Sequence, residues 1–207
     1  MNLMRSLVRE KRTRWLDVGC GGIFDKGFHY VDLFQPEILD PAFCSRYFRV
    51  DMVNAPKVEL AKLGKFDLVR MQHVFEHFSL EDGQRVLKNC AALLKRGGII
   101  LISVPDLRIQ IQKYLTSSYK GWKGFNWWAH KRIPKDSPPS FYFSIFAHSM
   151  PFESHKWCYD AEGLVYQLRH AKLYTKIREL KLDDPLASVP FTHNRPEEDV
   201  CVMAAKI

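Results

Sequence analysis

Leu16-Asp-Val-Gly-Cys-Gly-Gly22 decides the fold class of this chain. An apolar run at 15–18 has the short hydrophobic character of a buried parallel strand, and it empties into a loop with three glycines. Glycine reaches positive φ without a Cβ penalty and lets the backbone pass close to a ligand. A second short strand at 29–31 then delivers a carboxylate, Asp32, at its C-terminal end. In an open α/β sheet that edge is where a nucleotide-like ligand lies. A carboxylate there can accept hydrogen bonds from both hydroxyls of a ribose, each worth about 1.5–3 kcal/mol. The dinucleotide fingerprint needs a third glycine three residues after the second. Counting from Gly19 and Gly21, that position holds Phe24, which argues against a nicotinamide or flavin site.

The bulk properties frame this motif. A chain of 207 residues that is 46% hydrophobic suits one domain with a real core. No apolar run approaches the roughly 18 residues of a membrane-spanning helix, and the basic segment 1–14 lacks the long apolar stretch of a signal peptide. Cys20, Cys44, Cys90, Cys158 and Cys201 are scattered without a C-x-x-C pair. Free thiols in a reducing cytoplasm are therefore expected, not a disulfide framework or a zinc site. Cys20 reads as a small apolar residue suited to a tight turn. The net charge of +8 favours polyanions. Much of it is local, since 107–135 carries seven Lys or Arg residues and no Asp or Glu. Solvated surface charge is the plain reading of that run; an anionic acceptor, such as a phosphorylated or nucleotide-linked sugar, is the sharper one.

The remaining elements follow from periodicity. Only ten residues separate Val18 from His29, whereas a parallel crossover usually takes a dozen or more and a full helix. A helix N-terminus is thus a weak candidate for anion binding here, and the N–H groups of Gly21 and Gly22 form the alternative nest. Pro36 and Pro41 limit the next segment to short helical pieces. A third strand is expected at 46–50, ending at Asp51, then a short helix or loop at 57–65 and a fourth strand at 66–71. Ser79-Leu-Glu-Asp82 has the form of a capping box. Val86, Leu87, Cys90, Leu93 and Leu94 continue it as one apolar stripe, with Lys95 and Arg96 in the last turn and Gly97 as the stop. A buried strand at 99–104 and a helix at 107–115 come next. Asp160 opens a helix running to about residue 170, and the last strands are expected at 173–182 and 199–207.

Taken in order, these motifs resemble class I methyltransferases that use S-adenosylmethionine. They are most similar to a bacterial short-crossover subgroup associated with surface polysaccharide and O-antigen biosynthesis. The resemblance rests on Gly19-Cys-Gly21 followed by Gly27-Phe-His-Tyr-Val-Asp32, on Phe66-Asp-Leu-Val69, on Val74-Phe-Glu-His77, on the Leu-Leu-Lys-Arg-Gly-Gly98 turn, on Val104-Pro-Asp-Leu107 and on Asn194-Arg-Pro-Glu-Glu-Asp199. It covers 14–115 well and 153–207 loosely.

That resemblance implies an α/β, Rossmann-like fold: a three-layer α/β/α domain spanning 1–207 around a mostly parallel seven-stranded sheet with an antiparallel last strand. It implies S-adenosylmethionine as cofactor, released as S-adenosylhomocysteine. Asp17, Gly19, Cys20 and Gly21 would line its methionine half, Asp32 would hold the ribose, and Asp51 with the Met52 backbone would meet the adenine. Gln72 and His73 would face the sulfonium. The cofactor carries the methyl chemistry, while the protein supplies orientation and electrostatics. In-line transfer depends mainly on holding acceptor and methyl group close and aligned.

An O-methyltransferase often uses a group that accepts the acceptor's proton, and histidine or a carboxylate is the usual choice. His73 ranks first, then His155 and Asp106. His73 and His77 have helical spacing, but two histidines without a third convergent ligand do not make a metal site. The aromatic, basic segment at about 116–152 reads as an acceptor-covering lid with its own satellite core. The expected function is cytoplasmic methyl transfer to a small polar acceptor, with a sugar hydroxyl as the leading candidate. RNA methylation is the alternative, supported by basic charge and aromatic side chains; an inert interaction module is a third.

Overall fold

The 15–18 run forms strand β1 (Trp15–Val18), an interior strand of the sheet. It pairs in parallel with β2 (Phe28–Asp32) on one side and with β4 (Phe66–Gln72) on the other. The computed structural model describes residues 13–21, 24–34, 44–116, 154–188, 191–192 and 197–207. Beyond β2 lies β3 (Tyr47–Arg49); beyond β4 lie β5 (Leu94–Pro105), β7 (Asp199–Lys206) and β6 (Tyr174–Glu179). The order is β3-β2-β1-β4-β5-β7-β6 in one seven-stranded sheet. β7 runs antiparallel to both β5 and β6, and the other pairings are parallel.

Register places the functional edge. Val18 pairs with Val31 and with Met71, so β1, β2 and β4 end level. Gly19, Asp32 and Gln72 therefore emerge side by side. Further along, Gln72 pairs with Ser103 and Ser103 with Cys201. Because β7 is antiparallel, it presents its first residue, Asp199, at the edge where the parallel strands present their last.

Helices α1 (Lys57–Leu63), α2 (Leu80–Leu93) and α4 (Ala161–His170) pack on one face of the sheet. The predicted stripe of α2 is the reason: Val86, Leu87 and Cys90 are fully buried against Leu16, Val18, Val69 and Met71. Truncating a residue such as Leu87 to Ala would cost about 2–5 kcal/mol. The predicted caps form, with Ser79 Oγ accepting from Asp82 N at 3.1 Å and Asp160 Oδ1 from Gly163 N at 2.9 Å. Asp82 turns its carboxylate to Arg85 at 3.0 Å. Helix α3 (Leu107–Leu115) follows β5 and buries none of its residues.

The opposite face carries Phe28, Tyr30, Leu68, Leu101, Met203 and Cys20, packed against Leu180, Leu186 and Phe191. Among the described residues no long helix covers this face. The crossover from β1 to β2 is too short to hold one, and its described part is turn and bend. Two boundaries differ clearly from expectation: β6 ends at Glu179 instead of residue 182, and the end of α2 is displaced. Helix α2 stops at Leu93, and β5 already begins at Leu94. Phe66 pairs with Leu94 but Leu68 with Ile99, so 95–98 form an irregularity in the strand, with Gly97 at φ 75°. Lys95 there bonds Asp67 at 2.7 Å instead of capping the helix.

Candidate functional site

The glycine loop leaves β1 through two left-handed residues, Gly19 at φ 73° and Gly21 at φ 55°. Gly19 N donates to Val31 O at 2.7 Å, which ties the loop to β2. A Cβ on Gly19 would lie 2.8 Å from Cγ1 of Val74 and closer still to Cγ2, so no other residue fits without displacing the turn after β4. Gly21 N donates to Asp32 Oδ2 at 2.9 Å, and Phe34 N donates to Oδ1 at 3.2 Å. A carboxylate offers about four acceptor positions; the two named bonds use half of them. Cys20 turns its side chain into the second core cluster. Gly22 lies outside the described residues.

Beneath the loop is a charge cluster. Arg70 is fully buried on β4. Its Nη2 donates to Asp17 Oδ2 and to Asp25 Oδ2, both at 2.6 Å, while its guanidinium lies 4.1 Å over the Phe28 ring. Asp17 is 3% exposed, so its carboxylate serves this pairing beneath the loop. Sequence reading passed over Arg70 and Asp25. The available signal was one arginine inside an apolar strand, a position that needs a buried partner.

Asp51 and Met52 occupy the turn after β3. Asp51 Oδ1 accepts from Val53 N at 2.9 Å and Asn54 N at 3.2 Å, and Oδ2 accepts from Asn54 Nδ2 at 2.9 Å. Burial works against the charge, but the bonds from Asn54 and Val53 hold this carboxyl below the ordinary range. Met52 is buried, and its carbonyl accepts from Asn89. Asp106 caps α3 by accepting from Arg108 N at 2.8 Å, and burial raises its pKa.

The turn after β4 carries the histidines. His73 N donates to Ser103 O at 2.9 Å, and its φ of 52° is uncommon outside glycine. Its Nε2 lies 3.0 Å from Asp199 Oδ2, and Nδ1 lies 3.7 Å from Glu76 Oε1. Burial disfavours the cation. The bond and charge of Asp199, with Glu76 and Glu198 behind it, outweigh that and raise the pKa to about 9. Glu76 is 1% exposed, and burial pushes its carboxyl up to about 7 against the pull of His73. Its carbonyl accepts from Lys156 N at 2.9 Å and Trp157 N at 3.2 Å, which docks the segment leading into α4. That docking sets the His155 ring edge-on to His77, with centroids 4.8 Å apart. Burial, then the neighbouring His77 and His73, pushes His155 down to about 3.

The structure thus brings Gly19, Gly21, Asp32, Gln72 and His73 to one sheet edge, with Asp51 and Met52 in the turn beyond β3. It turns Asp17 and Cys20 inward, makes Asp106 a helix cap and sets His155 against Glu76 and His77. Residues 117–152 of the expected lid lie outside the described residues.

A strand order of 3-2-1-4-5-7-6 with a glycine turn and an acidic residue at the ends of β1 and β2 defines a Rossmann-like α/β architecture. A family model described as a methyltransferase domain matches residues 2–176, and the chain belongs to that family. No curated protein matches the sequence. Among solved structures, the chain is similar to a SAM-dependent methyltransferase from Archaeoglobus fulgidus (17% identity, 95% of this chain and 87% of that one, TM-score 0.52). It is also similar to an O-methyltransferase family protein from Burkholderia thailandensis (12% identity, 95% and 51%, TM-score 0.52). The CurJ carbon methyltransferase is a third (13% identity, 98% and 50%, TM-score 0.51). The chain spans about half the length of the latter two.

Proposed function

We propose that this chain is an S-adenosylmethionine-dependent O-methyltransferase acting on a small polar acceptor, a sugar hydroxyl being the class favoured by its likeness to the polysaccharide-associated subgroup. The observation that carries the cofactor reading is the contact of Gly21 N with Asp32 Oδ2 at 2.9 Å, which joins the glycine loop to a carboxylate at the edge of β2. The remaining acceptor capacity of Asp32 suits the two hydroxyls of a ribose, and the exclusion of any side chain at Gly19 leaves backbone to face the ligand. Those features fit an adenosyl compound.

In this reading Asp32 holds the ribose, the backbone of 19–21 meets the methionine half, the turn at Asp51 and Met52 meets the adenine, and Gln72 and His73 face the reacting end. S-adenosylmethionine supplies an electrophilic methyl carbon on its sulfonium. The chain aligns the acceptor and manages its proton. His73 is placed first among groups that could receive that proton, since it stands at the edge with its ring fixed by Asp199; with its pKa raised to about 9 only the small neutral fraction is the base near neutrality, so turnover through it should climb toward alkaline pH. Asp106 and His155 rank behind it because each is committed to other contacts. Asp17 supports the loop from beneath through Arg70.

Isothermal titration with S-adenosylhomocysteine tests the cofactor reading. Binding by the wild type, weakened by one to two orders of magnitude in Asp32→Ala, is expected from the loss of about 1.5–3 kcal/mol. No detectable binding by the wild type would sink it. Mass detection of methylated products after incubation with nucleotide sugars or with tRNA then decides the acceptor, and product from tRNA alone would replace the sugar reading.

A further inference from the structure

Glu76, His77 and His155 each offer one ligand atom, and the three atoms lie within 4.8 Å of one another. The two histidines are 78 positions apart in numbering, and only the docking of 154–158 on the Glu76 carbonyl brings them together. Glu76 Oε1 lies 3.9 Å from His155 Nε2. Ligand atoms around a tetrahedral ion with bonds of about 2.0–2.2 Å stand about 3.3–3.6 Å apart, so small side-chain rotations close the set.

A second, independent observation points to an ion. Both carboxylate oxygens of Glu76 are buried, and neither makes a hydrogen bond among the described residues; the His73 Nδ1 stands off at 3.7 Å from Oε1. A buried carboxyl group in that state lacks a directly bonded partner, which a coordinated ion would supply. His77 Nδ1 donates to the Ser154 carbonyl at 3.3 Å, which fixes the ring beside His155.

We propose that Glu76, His77 and His155 bind one divalent transition-metal ion of the zinc type. Two imidazole nitrogens and one carboxylate oxygen suit zinc and its neighbours and do not suit magnesium, which takes oxygen. The ion pins the segment before α4 to the turn after β4, beside His73. The site stands independently of the cofactor reading, and S-adenosylhomocysteine binding is followed separately so that the two can fail separately.

The test uses untagged full-length protein stripped with a chelator and titrated with zinc chloride. One zinc per chain and a raised Tm are expected, with no shift from magnesium chloride at the same concentration. Glu76→Gln, His77→Ala and His155→Ala should each weaken zinc binding by more than about tenfold, whereas His170→Ala, an exposed histidine on α4, should leave it unchanged. Cobalt loading of the wild type gives a readout that needs no variant: the intense visible bands of a low-coordinate nitrogen–oxygen site are expected. Wild-type protein that takes up no zinc, a cobalt spectrum of the free aquo ion, or zinc uptake untouched by His155→Ala in a folded variant would each overturn the site.

Discussion

Arg70 Nη2 stands 2.6 Å from Asp17 Oδ2, across 53 residues of sequence, and the pair lies wholly under the glycine loop. The same nitrogen holds Asp25 of the short crossover. Removing one partner of such a cluster leaves an uncompensated buried charge, at a cost of about 3–5 kcal/mol. Arg70→Ala is therefore expected to lower unfolding stability by that amount in urea denaturation. A loss under about 1 kcal/mol would show that the cluster does not hold the loop.

Gly19 has two reasons to be glycine, its φ of 73° and the Val74 side chain over it. Gly19→Ala should combine a left-handed penalty of about 1–2 kcal/mol with an overpacking cost of about 1–3 kcal/mol. Adding Val74→Ala should recover the second part alone. Equal stability of the single and double variants, measured by thermal unfolding, would refute the steric half of this account.

His29 is one acid-sensitive group of the fold, and the more strongly shifted His155 is another. Burial, then Arg14, lowers the His29 pKa below the ordinary 6.5. The unfolded chain thus binds a proton that the folded chain refuses, so this contribution is whole above about pH 6.5 and is lost as pH falls through the lowered value. His29→Phe, which keeps an aromatic ring beside Phe48 and Phe66, should flatten the fall in urea midpoint between about pH 7 and pH 5. An unaltered slope would remove His29 as a contributor and leave the fall to groups such as His155.

His73 occupies a left-handed position that asparagine also tolerates. His73→Asn should keep the fold and S-adenosylhomocysteine affinity while turnover drops by about 10²–10⁴-fold. Normal turnover would exclude the imidazole from proton handling.

Much of the fold was legible in order. The apolar runs at 15–18, 66–71 and 99–104 became central strands because both faces of a parallel sheet are buried. The caps at Ser79 and Asp160 marked their helices because their carboxylate or hydroxyl satisfies a local N–H. The end of α2 was misplaced, since Lys95, Arg96 and Gly97 read locally as a helix stop while pairing with β4 draws them into an irregular strand.

The side-chain contacts beneath and beside the candidate site were not legible. His73 meets Asp199 across 126 residues because an antiparallel β7 starts where parallel strands end. His155 reaches Glu76 because two backbone N–H groups dock its segment there. Local composition fixes which segments become strands and which edge carries the glycine turn and Asp32, since burial periodicity and backbone freedom are short-range properties. Which charges face one another was decided only by sheet register and strand direction, because those set the partner of every side chain that leaves the edge.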